Sequence, residues 1–261
     1  NVLQYDIYKI PAGHVYFPNA GNMVLLGSVA GNITTFTDST TFCEDSVHYR
    51  INALQLGGTQ QEAFSDISSN KPRHYAPTQG VEMEYVTVLE DKYIEVKWLD
   101  YAGYKPDYYV LEKSLGGDVW KEIESHIPLS TLSYIDDKVY VDSLSYRYRL
   151  FAQDSCGYRS QPINIGRSIV LEASQLSDET PVLTWNMYEK WIDAGVEYYE
   201  IQVWDENNGW VMVDVVGPKT TRYVDTKSSF FQSIYNYRII AHELAGNGAS
   251  SMSNEDSIVF T

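Results

Sequence analysis

VHYRINALQLGG at residues 47–58, YRYRLFAQDSCG at 146–157 and YNYRIIAHELAG at 235–246 align without a gap. With Ala53, Ala152 and Ala241 as anchors, Tyr49, Tyr148 and Tyr237 stand four residues earlier. Arg50, Arg149 and Arg238 stand three earlier, and Ile51, Leu150 and Ile239 two earlier. Gly58, Gly157 and Gly246 follow five residues after the anchor. The anchors are 99 and 89 residues apart, and each interval is the length of one small β-sandwich domain. In the last repeat Tyr235, Tyr237, Ile239 and Ala241 share one face, while Asn236, Arg238 and Ile240 take the other. That period of two predicts a strand with one buried face. The alanine lets a bulky neighbour pack over it, and the glycine permits the turn that follows.

Working outward, each repeat carries an aspartate before the anchor strand, in FTD ending at Asp38, YID ending at Asp136 and YVD ending at Asp225. Earlier still lie QYDIYK from Gln4, YYVLEK from Tyr108 and YYEIQV from Tyr198, each a short alternating strand. LGGD from Leu115 and ENNG from Glu206 are hairpin signals after the last two, because Gly-Gly and Asn-Gly suit tight turns. A fourth element occurs only twice, as YIEVKW ending at Trp98 and PVLTW ending at Trp185. A tryptophan there fills the centre of a sandwich core. Its counterpart in the first repeat would fall before residue 1, so the first repeat is expected to lack its first two strands. Either the chain is a fragment of a longer polypeptide, or a second chain supplies them by β-augmentation.

The sequence has 261 residues, of which 44% are hydrophobic, enough for packed cores. Its formal charge of −16 would be repelled by a phosphate backbone and by anionic membranes, which argues against nucleic acid as a partner. No apolar run approaches the ~20 residues that span a bilayer, so direct membrane insertion is not expected. No leader-like segment opens the chain, so any export signal is expected upstream or already removed. Tyrosine is abundant, with 22 residues against 8 Phe and 6 Trp, which fits half-buried strands. Two cysteines exclude a disulfide-dense mini-domain and a cysteine-based zinc site.

The order Trp strand, Tyr strand, hairpin, Tyr-x-Asp strand, Tyr-x-Tyr-Arg strand, Gly turn and Ser-rich last strand resembles the fibronectin type III domain. The implied fold class is all-β: tandem fibronectin type III-like, immunoglobulin-like β-sandwiches in an elongated rod. The implied domains are 1–78 (lacking two strands), 79–174 and 175–261, with linkers at 71–86 and 173–181. Tyr49, Tyr148, Tyr237, Trp98 and Trp185 are the expected repeated core. Tyr146 and Tyr235 sit where this fold keeps its corner tyrosine, whereas Val47 departs from it. The phrases YRLFAQDSCGYRSQP and YRIIAHELAGNGASSMSN further resemble repeats of large surface proteins of gliding bacteria, exported by the type IX secretion system. That resemblance implies a non-catalytic, extracellular or cell-surface adhesin region without a cofactor. It would space or display neighbouring domains of a longer polypeptide and contact a surface glycan or protein. The rival expectations are an accessory region of a secreted glycan-degrading enzyme, or a secretion-apparatus component completed by a strand-donating partner.

In a type III sandwich the loops that hold Cys43 and Cys156 lie at opposite poles. In a head-to-tail string both would face the junction of the first two domains, and the resemblance therefore implies an interdomain Cys43–Cys156 disulfide. Two unrelated free thiols are the alternative reading.

None of His14, His48, His74, His126 and His242 forms an HExxH or HxxxH pair, and no G-x-S-x-G or phosphate loop occurs. No catalytic, metal or cofactor residue is assigned, and an enzyme is not expected. Asp205 to Gly209 partly mimic a calcium loop but lack the later glutamate, so a hairpin turn explains them better. Asp136 and Asp137 precede a corner where sandwiches sometimes hold Ca2+, but they are expected to satisfy turn N–H groups instead. Tyr101, Tyr104, Trp191 and Trp210 fall in or beside loops, where planar rings can stack on sugars. Packing at a domain contact or over a sheet face is the competing role for all four.

Overall fold

The computed structural model describes residues 2–10, 22–39, 43, 46–55, 61–70, 77, 79–103, 106–176, 180–189, 195–228, 234–246 and 248–259. These residues are all-β, and the chain divides into two compact units, Asn1–Tyr75 and Ala76–Thr261.

The first unit is one antiparallel sheet. It contains β1 (Val2–Ile10), β2 (Val24–Ala30), β3 (Val47–Gln55), β4 (Glu62–Phe64) and β5 (Ser68–Asn70). Their order is β2-β1-β3-β4, with β5 also on β3. Tyr5 lies opposite Ala53 and Ile7 opposite Ile51, so these four residues share one face.

The second unit contains two sandwiches. In the first of these, β6 (Met83–Leu89), β7 (Tyr93–Trp98) and β10 (Ser133–Asp136) form a sheet in the order β10-β7-β6. The facing sheet runs β12-β11-β8-β9, from β8 (Tyr108–Ser114), β9 (Lys121–Ile127), β11 (Arg147–Gln153) and β12 (Gly166–Arg167). Alternation along β7 and β11 sends Ile94, Val96, Trp98, Tyr148, Leu150 and Ala152 into one core. The Trp98 indole stands edge-on to Tyr109 with centroids 5.8 Å apart, a favoured arrangement of ring quadrupoles.

The last sandwich repeats this plan. Here β13 (Leu171–Gln175), β14 (Pro181–Trp185) and β17 (Arg222–Val224) lie in the order β13-β14-β17. They face β16-β15-β18-β19, from β15 (Val196–Asp205), β16 (Gly209–Val216), β18 (Ile234–Glu243) and β19 (Ser250–Met252), with β20 (Asp256–Val259) also on β18. Trp185 stands edge-on to Tyr199 at 5.6 Å. Both hairpin signals are realised: Gly116 and Gly117 have positive φ, and Asp205 pairs with Gly209 across the Asn-containing turn.

The sheets move the expected boundaries. Residues 171–175 pair with 181–185, from Leu171 opposite Trp185 to Gln175 opposite Pro181. Residues 173–175 and 181 therefore lie in paired strands of the last sandwich rather than in a linker, and that sandwich does not begin at 175. Ile169 already belongs to its core, while Arg167 still pairs in the preceding sheet. Polar composition had disguised an edge strand as a connection. Likewise residues 83–86, expected to be linker, lie in β6 and pair with β7.

Two locks recur across the repeats. The first is a tyrosine hydroxyl donated to the aspartate before its strand: Tyr49 to Asp38 at 3.0 Å, Tyr148 to Asp136 at 2.9 Å and Tyr237 to Asp225 at 2.8 Å. The second is an asparagine that bridges the two sheets. Asn164 accepts the Met83 N–H and donates to its carbonyl, and Asn254 does the same with Leu171. Each asparagine satisfies a buried first-strand backbone pair that no neighbouring strand reaches.

Candidate interaction site

Three surfaces have the chemistry to recognise something. The first is the open face of the first unit. Ile51 is 42% exposed, whereas Leu150 and Ile239, at the same repeat position, are 1% and 0% exposed. Tyr5 occupies the place of Tyr109 and Tyr199, since each lies opposite its anchor alanine. Those two are fully buried under a tryptophan, whereas Tyr5 is half-buried and lines an apolar cleft of about 230 Å3 with Ile7, Val29, Ile33, Phe36 and Ile51. Among the described residues, 33–39 belong to no strand, although 133–136 and 222–224 pair with β7 and β14.

The second is the junction inside the second unit. One residue, Ser168, separates Arg167 in the preceding sandwich's sheet from Ile169, which already belongs to the last sandwich's core. The Val86 N–H of β6 donates to the Tyr188 hydroxyl at 2.9 Å, and Ser251 Oγ donates to the Val86 carbonyl at 2.6 Å. The Met252 N–H reaches Thr87 Oγ1 at 2.8 Å, and the Glu255 N–H reaches Asp91 Oδ1 at 2.7 Å. Glu189 takes ion pairs from Arg147 and Arg167, both at 3.2 Å. Burial pushes the Tyr188 phenol well above its ordinary range, and burial also raises the Asp91 carboxyl. The edge of β6 is thus capped by side chains of the neighbouring sandwich. Replacing Tyr188 with Phe leaves the Val86 N–H buried without its acceptor. A loss of about 1–3 kcal/mol is expected, read as a lower Tm of the second unit by calorimetry; an unchanged Tm would remove Tyr188 from the junction's energetics.

The third is the outer face of the larger sheet in each of the two sandwiches. On the earlier sandwich Trp120 lies against Arg149 at 4.3 Å and Arg147 at 5.7 Å, and Phe151 lies against Arg149 and Arg159. Glu112 accepts from Arg149 and Arg159, and Glu122 from Arg159. On the last sandwich Trp210 lies against Arg238 at 4.2 Å, and Arg238 also donates to Gln202. Tyr198 stacks on His242, which pairs with Glu200 at 3.0 Å. These rings and cations are largely spent on one another, a zipper of modest cation–π terms.

The sequence-derived residues fall as follows. Tyr148, Tyr237, Trp98 and Trp185 are buried, and Tyr49 is half-buried. The indole N–H groups of Trp98 and Trp185 are buried without an acceptor, a polar cost both sandwiches carry. Tyr146 makes the corner bond, accepting the Tyr140 N–H at 3.0 Å. Tyr101 packs against the core with its hydroxyl buried and unpartnered, and Trp210 is held over Arg238. Tyr104, Trp191, His14 and His74 lie outside the described residues. Cys43 lies in the first unit; Cys156 lies in the second, in the turn after β11, where its N–H donates to Asp154. Asp205 Oδ1 is filled by the N–H groups of Asn207 and Asn208, the work of a turn. Asp136 is filled by Lys113, Tyr148 and the Lys138 N–H. His48 lies between Ser46 and Ser69, and His126 stacks on Tyr108. Sequence reasoning missed Trp204, which is 41% exposed and edges a cleft of about 310 Å3 with Asp205, Asn208 and Lys227. Alternation along β15 from Tyr198 would have placed it outward. Among the described residues no cluster of His, Cys, Asp and Glu could hold a metal ion, and no helix is long and apolar enough to cross a membrane.

A three-stranded sheet facing one of four strands in the earlier copy and five in the last, in the same strand order, defines β-sandwiches of the fibronectin type III kind in tandem. The five-stranded sheet of the first unit, in the order β2-β1-β3-β4 with β5 also on β3, follows the larger sheet of the same plan. Two solved structures it resembles are also of this kind. The chicken CNTN1 FN1-FN3 domains align over 99% of this chain and 88% of theirs, at 12% identity and a TM-score of 0.30. A two fibronectin type III domain segment from chicken tenascin aligns over 71% of this chain and 99% of its own, at 16% identity and a TM-score of 0.28. At such scores the class rests on the strand order alone. No family model matches the sequence, and no curated protein does.

Proposed function

We propose that the chain is a non-catalytic structural and adhesive repeat segment of an exported cell-surface protein. It spaces and displays neighbouring modules and touches a surface glycan or protein. The observation that carries this reading is the junction at Val86, Tyr188 and Ser251, which joins two sandwiches with side-chain bonds and no intervening linker. A spacer needs such stiffness, whereas independent binding modules tolerate loose tethers. The resemblance of 148–162 and 237–254 to repeats of gliding-motility surface proteins supports the export route. The test is surface proteolysis of intact cells, followed by a gel probed with an antibody to this chain. Protease-sensitive signal on a polypeptide far larger than 29.8 kDa is the expected result. A protected signal, or a species carrying a glycan-hydrolysing domain, would replace this reading.

The spacer is stiffened further by a Cys43–Cys156 disulfide between the units. It closes a loop of over a hundred residues, worth about 4–5 kcal/mol in the chain-entropy model. A thiol assay in denaturant without reductant is expected to find no free thiol per chain; two would remove the bond.

A further inference from the structure

We propose that the cleft beside Trp204 is a binding site for a primary ammonium group carried on an unbranched alkyl stem. The repeats differ at one position of the tyrosine strand. Lys9 stands opposite Tyr49 and Lys113 opposite Tyr148, whereas Val203 stands opposite Tyr237. In the earlier sandwich the Lys113 side chain lies against the end of the core and is only 15% exposed. Its Nζ donates to Asp136 Oδ2 at 2.6 Å and to the Lys138 carbonyl at 2.9 Å, and it lies 5.0 Å from the centre of the Tyr146 ring. An ammonium so placed gains an ion pair, a hydrogen bond and a cation–π contact together.

The last sandwich keeps the receiving groups and lacks the stem. Asp225, Lys227 and Tyr235 hold the places of Asp136, Lys138 and Tyr146. Val203 is too short to reach them, and it forms part of the wall of a cleft of about 310 Å3, together with Trp204, Asp205, Lys227 and Tyr235. Apolar cavities of ~150 Å3 take up a benzene ring, so this cleft has room for a butyl stem. Asp225 is fully buried, and its Oδ2 accepts the Tyr237 hydroxyl, whereas Asp136 Oδ2 accepts both the Tyr148 hydroxyl and the Lys113 ammonium. The other Asp225 oxygen takes the N–H groups of Lys227 and Ser228, so among the described residues no cationic side chain pairs with it. A buried carboxylate without a counter-charge is costly, and a cation entering beside it relieves that cost. Lys227, the cation on the cleft wall, is already held by Asp214 at 2.7 Å. Asp205 adds negative charge, and the exposed Trp204 adds a ring for a cation to approach.

The probes are n-butylammonium, Nα-acetyl-lysine methylamide and cadaverine, each titrated into the intact chain and followed by NMR amide shifts. Saturable shifts are expected at Val203, Trp204, Asp205 and Lys227, and they should weaken as salt is added. n-Butanol, which has the stem without the charge, should bind at least about tenfold more weakly. Trp204→Ala, at an exposed position, should weaken n-butylammonium binding about threefold or more. Val203→Lys supplies the stem from within and should abolish binding without lowering Tm. Lys113→Val should lower Tm and open a second site, so that n-butylammonium restores part of the loss and shifts amides around Tyr146. Tighter binding of the lysine derivative than of cadaverine assigns the ammonium to a lysine of a partner polypeptide, and the reverse order assigns it to a free polyamine. Absence of saturable shifts, equal binding of n-butanol, a preference for a neutral hexose, or binding that survives in Val203→Lys would overturn the proposal.

Discussion

Raising the pH above about 10 is expected to unfold the second unit cooperatively, with a midpoint above about pH 11. Burial pushes the phenols of Tyr148, Tyr188 and Tyr237 well above their ordinary value, and the neighbouring Asp136 and Asp225 add to the shift at Tyr148 and Tyr237. A raised folded-state pKa adds nothing to the pH dependence below about 10, where both states hold the proton. Above it the unfolded chain releases protons that the folded chain keeps, so stability falls as pH rises. Each such tyrosine contributes a slope of about 1.4 kcal/mol per pH unit, and the three together about 4. Against a typical domain stability of about 5–15 kcal/mol, that slope exhausts the margin within about one to four units. Circular dichroism and tyrosinate absorbance followed together check it. Exposed tyrosines should ionise smoothly near pH 10, and the buried ones only in step with the loss of structure. Tyr237→Phe should reduce the slope by about a third. Complete ionisation near pH 10 in a protein that stays folded would refute the argument.

Asp136→Ala is expected to cost about 3–5 kcal/mol, because it leaves the Lys113 ammonium half-sheltered and uncompensated and strands the Tyr148 hydroxyl. The carboxylate is 3% exposed and accepts from Lys113 Nζ at 2.6 Å, from Tyr148 at 2.9 Å and from the Lys138 N–H at 3.0 Å. Tyr148→Phe removes one of these bonds and leaves the ion pair, so about 1–2 kcal/mol should go. In the last sandwich Val203 occupies the place of Lys113, opposite Tyr237, and Asp225 is held by Tyr237 and the N–H groups of Lys227 and Ser228. Asp225→Ala should therefore cost less, about 1–3 kcal/mol. Urea unfolding of the three variants measures the ranking. Equal losses for Asp136→Ala and Asp225→Ala would show that the lysine adds nothing.

The strands legible in the sequence were those whose alternation is bulky and whose repeats agree. The tyrosine strands and the anchored strands of all three repeats, and the aspartate strands of the last two, could be aligned from the sequence alone. What was not legible was polar structure. The strand 171–175 reads as Ser, Gln and Glu around one buried leucine, because it is an edge whose outer side faces solvent. Asn164 and Asn254 lie in Ser-rich stretches that look like loop, yet they satisfy the backbone N–H and carbonyl of Met83 and Leu171, one residue in each first strand. Nothing local to Tyr188 in the sequence reveals that its hydroxyl meets Val86. Alternation along β15 from Tyr198 assigns Trp204 to the outer side, so its exposure is legible in the sequence.

The direct passage from Arg167 to Ile169 has one more consequence. Because side chains alternate along extended backbone, a single inserted residue there would turn Ile169 away from its core. The junction is therefore an angular gauge: it fixes the direction in which the last sandwich points its Trp204 cleft as seen from the one before. Drift in length, harmless in most surface loops, is read here as a rotation of everything displayed downstream.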